Sequence, residues 1–202
     1  MWTWTALDAD SKLIVSCKIA GRDAGYAHEF MQDVAARLAT GVQLTTDGLK
    51  AYLEAVEGAF GANVDYAMLV KLYGDVPGAG RYSPGVCTGA VKRRVEGNPD
   101  PKHVSTSYTE RHNLTMGMSM RRFTRLTNAL SEKVDSHFYA LALYFTFHNF
   151  VRQPKTLRCS PAMAAGLSKT LWSMEDVVAL IDARAEPAKK RGPYKPRQPK
   201  AA

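Results

Sequence analysis

The chain has 202 residues, 46% hydrophobic and 23% charged, with a formal net charge of +8, the proportions of a soluble globular domain with room for a tail. Its three cysteines, Cys17, Cys87 and Cys159, are scattered and form no CxxC, which argues against a disulfide framework or a zinc knuckle and reads as reduced thiols in the cytoplasm. No apolar leader follows Met1, and the longest greasy run, FYALALYFTFHNF at 138–150, is too short for a bilayer and contains His148 and Asn149, so no membrane partner is expected.

In chain order, MWTWTALD alternates as a strand does, the polar turn Ala9-Asp10-Ser11-Lys12 follows, and LIVSCKIA returns, the pattern of a hairpin. Asp23 is placed to cap a helix running to about Thr40, with Ala27, Phe30, Met31, Val34 and Leu38 on one face. VQLTTD then reads as a short strand ending at Asp47. GLKAYLEAVEGAF reads as a helix with Leu49, Tyr52, Leu53 and Val56 inward, and NVDYAMLV at 63–70 as another strand. Strand alternating with helix predicts an α/β domain.

From 74 to 102 the segment is rich in Gly and Pro and has no sustained period, so it reads as an insertion or loop with a short strand around 91–95. Periodicity returns with Leu114, Met118, Leu126, Leu130, Val134, Phe138, Leu141 and Phe145, a helical stripe with a break near Ser131, where Asn128 or Ser131 would cap a second helix. A short helix is expected over 174–183. From Arg184 onward, seven basic residues face the single acid Glu186, so the tail at 184–202 carries most of the positive excess. It reads as a disordered segment, and its KKRGPYKPR, with Lys190 and Arg191, suits either a DNA-binding arm or a solubilising tail.

Two acids stand out by position. Asp47 ends a strand just before a helix, where α/β sheets present ligand groups, and Glu110 sits in the first turn of the helix after TSYT. Carboxylates so placed can converge on divalent metal, two Mg²⁺ ions about 3.5–4 Å apart clamping a phosphodiester. The same placements also suit an ordinary turn or cap and a favourable helix-dipole contact. Arg111, Arg121, Arg122 and Arg125 follow Glu110 on what reads as one helix, with Arg121 about three turns below it. That arrangement fits a phosphate track, or else a solvated basic face. His112 and Asn113 flank Glu110, either steadying it or exposed. His137 and His148 read as core or rim residues, Trp2 and Trp4 as sheet packing, and Tyr144, Phe145 and Phe147 as a core stripe.

LTTDGLKAYLEAVEGAFG, STSYTERHNLTMGMSMRRFTRLTNALS and FHNFVRQPKTLRCSPAMAAGL resemble bacterial insertion-sequence transposases of the DDE class, in the family related to insertion sequence one. The resemblance runs from Trp2 to about Leu180, and its most specific phrase is ERHNLTMGMSMRRFTRLTNALS. It implies a ribonuclease-H-like mixed sheet flanked by helices over 1–183, with a long C-terminal helical region. It also implies three carboxylates holding two Mg²⁺ (or Mn²⁺) ions, water cutting the element end, and the freed 3′-hydroxyl attacking target DNA. Asp47 would be the second carboxylate and Glu110 the third. Arg111, Arg121, Arg122 and Arg125 would be phosphate contacts.

That fold opens with three antiparallel strands, whereas this chain offers two before its first helix. Counted back from the helix, the first catalytic strand falls ahead of Met1, and Asp8 becomes a turn residue rather than a metal ligand. The expectation is a truncated or misassigned start and a chain with little or no strand transfer. The implied partners are DNA, at element ends and target, and a homo-oligomer or full-length transposase. Two rivals stay open: a non-catalytic DNA-binding or oligomerising transposase remnant, and a ribonuclease-H-like nuclease that cuts without joining.

Overall fold

A computed structural model describes residues 1–39, 41–74, 85–124, 128, 133–185 and 192. Strands β1 (Trp2–Leu7) and β2 (Ile14–Ala20) form an antiparallel hairpin. Asp8 belongs to its turn, as strand counting expects: its carboxylate accepts from the Ser11 N–H at 2.9 Å and from the Ser11 hydroxyl. Burial alone would raise the Asp8 pKa, but these bonds, with one from Asp10, outweigh it and hold the group below its ordinary value.

Helix α1 (Ala24–Arg37) starts where the sequence places it, with the Asp23 side chain accepting from the Tyr26 N–H at 3.1 Å. It buries Ala27, Phe30, Met31 and Val34, four of the five residues on the expected face. Strand β3 (Val42–Asp47), helix α2 (Ala51–Phe60) and strand β4 (Val64–Gly74) follow, with β3 and β4 parallel. The segment read as an insertion or loop does hold a strand where a short one was expected around 91–95, but it is longer, the eleven-residue β5 (Val86–Glu96), antiparallel to β4. Most of β5 is exposed, so it carries no buried face to give it a hydrophobic period. Residues 75–84 lie outside the described part of the chain.

Among the described residues the strands fall into two sheets, β1-β2 and the mixed sheet β3-β4-β5. One apolar layer joins them. Trp4 and Ala20 from the hairpin meet Phe30 and Val34 of α1, Val56 of α2, and Val64 and Tyr66 of β4. Trp4 packs edge-on to Tyr52 and donates its indole N–H to the Gly21 carbonyl at 2.9 Å. Trp2 is exposed, under the Arg22 guanidinium, so only one of the two tryptophans packs in the core.

The hairpin's other side meets the C-terminal helices. Helix α3 (Ser107–Ser119) ends at Met120, and a 3₁₀ turn (Arg121–Phe123) follows. Arg121 and Arg122 therefore do not continue the helix that bears Glu110, contrary to the single-helix reading. Helix α4 (Val134–Thr146) runs into a π-helical turn (Phe147–Val151), followed by α5 (Pro161–Ala164) and α6 (Met174–Asp182). The expected helical stripe is only partly buried. Leu141 and Phe145 pack with Met116, Tyr144 and Ile14, but Leu114 and Met118 are 64% and 74% exposed. The inward face of α3 is instead His112 and Met116. Leu126, Leu130, Ser131 and the tail from 186 to 191 lie outside the described residues, Arg125, Lys190 and Arg191 included. No described helix is long and apolar enough to cross a membrane.

Two side chains in the π-helical turn fasten the hairpin. Asn149 accepts from the Ile14 N–H at 2.9 Å and donates to the Ile14 carbonyl at 3.0 Å, taking the place of a neighbouring strand residue at that point of β2. His148 Nε2 meets the Lys12 carbonyl at 3.1 Å, and its ring lies edge-on to His112 at 4.6 Å. Both histidines are buried, and neither His112 nitrogen has a hydrogen-bond partner. Burial, then the neighbouring His148 and Arg152, push the His112 pKa down to about 4, and burial lowers His148 as well.

Two predictions follow from this packing. Gly97 has φ +64, and a Cβ there would lie 2.7 Å from the Val64 carbonyl oxygen and against the Asp65 carboxylate, so Gly97→Ala should cost upwards of about 2 kcal/mol in chemical denaturation. The histidines stay neutral when folded while the unfolded chain takes protons at 6.5, so stability present above pH 6.5 is lost as pH falls toward 4. Thermal melts across that range should show the loss, and His112→Leu should flatten it; a wild-type Tm that stays level over the range would refute this assignment.

Candidate functional site

The site is built at the C-terminal end of β3. The parallel pairing sets Asp47 opposite Leu69 of β4, and Lys71 follows two residues on, on the same face of that strand. Buried Thr46 fixes the strand end from below. Its hydroxyl hydrogen-bonds the Tyr66 phenol at 2.8 Å and donates to the Asp47 carbonyl at 3.1 Å. Burial holds the Tyr66 phenol above its ordinary pKa, so it serves there as a neutral hydrogen-bonding group. The Asp47 carboxylate accepts from the Leu49 N–H at 3.1 Å, the turn contact that its position before Gly48 suggests.

Glu110 comes from the other direction, in the first turn of α3. Its Oε1 accepts from the Lys71 ammonium at 2.7 Å and from the Thr106 hydroxyl at 2.6 Å. The Lys71 hydrogen bond, then that of Thr106, holds the Glu110 carboxyl below its ordinary range. Lys71 was not legible as a site residue, because a lysine on a strand running out from the sheet reads as ordinary surface charge.

Asp47, Lys71 and Glu110 line one cavity of about 1360 Å³. Asp8 and Asp10 line it too, but Asp8 is committed to its turn. Asn113 also faces the cavity, whereas His112 turns inward to the core. Arg111 is exposed on α3, and Arg122 donates to the Ser136 carbonyl at 3.4 Å, linking the 3₁₀ turn to α4.

The resemblance implies a two-ion centre. Carboxylates are the hard oxygen donors that Mg²⁺ takes. Here, however, Glu110 is engaged by an ammonium, and among the described residues no group of three or more His, Cys, Asp or Glu is gathered to hold a metal ion. The residues present do not fit a two-ion centre. The arrangement does provide a cavity whose wall carries acids and a lysine that balances one of them.

Removing that lysine should be directly visible. In Lys71→Met, the Glu110 carboxyl should titrate closer to its ordinary 4.5 when followed by carbon-detected NMR. An unmoved titration would mean that the ion pair does not form in solution.

Comparison with protein-family models, with curated proteins and with solved structures finds no significant match.

Proposed function

We propose that the chain is the catalytic-domain portion of a DDE-type transposase, related to the insertion-sequence-one family and acting on DNA, with a carboxylate set that is incomplete in this form. The observation that carries the reading is the meeting of Asp47 and Glu110. They are far apart in sequence, on a strand end and a helix start, yet they open onto one cavity. The phrase ERHNLTMGMSMRRFTRLTN supports the family, and it begins with one of those two acids, Glu110.

On this reading Asp47 and Glu110 are the acids for Mg²⁺ or Mn²⁺ in an intact site, and Arg111, Arg121 and Arg122 take DNA phosphates. Guanidinium groups suit that task because they offer paired N–H donors to two phosphate oxygens. Lys71 neutralises Glu110 in the form described, so the second acid of the proposed pair is engaged by an ammonium. This favours the second reading for the chain as it stands: a DNA-binding or oligomerising transposase remnant that does not join strands. A partner copy or full-length transposase would be its natural associate.

Binding of the purified chain to a DNA duplex of arbitrary sequence, measured over a salt series, tests the reading. Affinity should fall steeply as salt rises and survive Glu110→Ala. Arg111→Ala and Arg121→Ala should each lower the slope of log affinity against log salt by about 1. With Mg²⁺ present, no strand cleavage is expected. Salt-insensitive or absent binding would refute the DNA reading, and cleavage that Glu110→Ala abolishes would refute the incomplete set.

A further inference from the structure

Strand β5 carries Lys92, Arg93 and Arg94 in succession, all three exposed. The ladder sets their faces. Leu69 of β4 lies opposite Asp47 of β3 on one side and opposite Lys92 of β5 on the other, and Ala67 lies opposite Arg94. Residues directly opposite one another share a face of the sheet, as do residues two apart along a strand. Asp47, Lys71, Lys92 and Arg94 therefore stand on one face, with Asp47 and Lys92 in one row, two strand spacings or about 10 Å apart. Arg93 stands on the other face. The one acid of β5, Glu96, is opposite Tyr66, and the register shift between Tyr66 and Ala67 turns it away from Lys92 and Arg94.

These cations have no carboxylate partner. The ion pairs among the described residues leave all three out. Lys92 donates to the Pro101 carbonyl, and Arg94 donates to the Asn98 side-chain oxygen at 3.5 Å, both neutral acceptors. The undescribed segments do not supply the missing charge: their acids are Asp75, Glu132 and Glu186, outnumbered there by Lys and Arg. A second copy of a chain at net +8 is no better suited. Charge on an edge strand also keeps sheets from pairing, but that role asks for no common face with Asp47.

We propose that the Asp47 face of β4 and β5 is a track for the sugar–phosphate backbone of a DNA strand that leads into the cavity, with Lys92 and Arg94 as its phosphate contacts. The proposal rests on the DNA reading and adds a sheet surface to the contacts on α3 and the 3₁₀ turn. The row gives the reason. A strand with a phosphodiester at Asp47 carries one charge per about 3.4 Å of axis, so further phosphates lie about 10 Å away, the distance at which Lys92 stands. An ammonium and a guanidinium are the donors that phosphate oxygens take. An anionic membrane attracts the same side chains, but a membrane surface does not follow one row toward a cavity.

The test is lysine acetylation of the intact chain, read by mass spectrometry with and without a short DNA duplex, together with affinities over a salt series. At saturation Lys92 should be modified about fivefold more slowly on DNA, as a lysine held at a phosphate is. Lys92→Gln combined with Arg94→Gln should lower the slope of log affinity against log salt by about 2. Arg93→Gln, on the other face, should leave the slope unchanged, and Lys92→Arg with Arg94→Lys should restore it. The footprint is read on the native chain, so it decides the matter whatever the stability of the variants. DNA binding that leaves Lys92 unprotected, or a double variant with an unchanged slope, overturns the track while the DNA reading stands. Protection confined to the tail lysines, Lys189, Lys190, Lys195 and Lys200, overturns it in the same way. Absence of binding by the native chain overturns both, and so does Lys92 protection by phosphatidylserine vesicles without protection by the duplex.

Discussion

Helix α1 holds the molecule together. Its buried face meets the hairpin through Trp4 and Ala20 and the mixed sheet through Val64 and Tyr66, by way of the α2 residues Ala55 and Val56. Between β1 and β3 there is no strand ladder among the described residues, so apolar contact rather than backbone hydrogen bonding joins the two sheets. Such contact is non-directional. It holds the sheets side by side without closing the space between their facing strands, and the cavity lies in that space.

The hairpin is fixed from its other side by directional bonds. Asn149 satisfies both backbone groups of Ile14, and His148 takes the Lys12 carbonyl. The second apolar cluster, Ile14, Met116, Leu141, Tyr144 and Phe145, then locks α3 and α4 against it. This docking sets where α3 begins, and hence where Glu110 stands relative to β4. The Lys71–Glu110 contact is thus the point at which the helical region and the mixed sheet meet across the cavity. A lysine there balances a carboxylate that would otherwise face the acid of β3 unassisted, and an exposed pair of this kind contributes little to stability by itself.

The resemblance and the geometry bear on different questions. The proposal that Asp47 and Glu110 belong to one family pattern rests on the quoted phrases, and the fold gives both acids access to one space. On the wall of that space the Lys71 ammonium engages the Glu110 carboxylate.

What the sequence determined by itself are the elements with one buried face. The hairpin, α1 with its Asp23 cap, β3 up to Asp47, α2 and the start of β4 follow from periodicity and turn chemistry, because burial on one side writes a period into the residues. The same reading put Asp8 in the turn of the hairpin, where its carboxylate accepts from Ser11. It found only a short part of β5, around 91–95, because both faces of that strand are largely exposed, and it missed the end of α3 at Ser119, because Leu114 and Met118 continue a helical spacing without being buried. Only the tertiary structure decided that the strands form two sheets, that Lys71 answers Glu110, and that Asn149 completes β2. Each of these is a contact between residues remote along the chain, and such contacts leave no local pattern for a sequence to show.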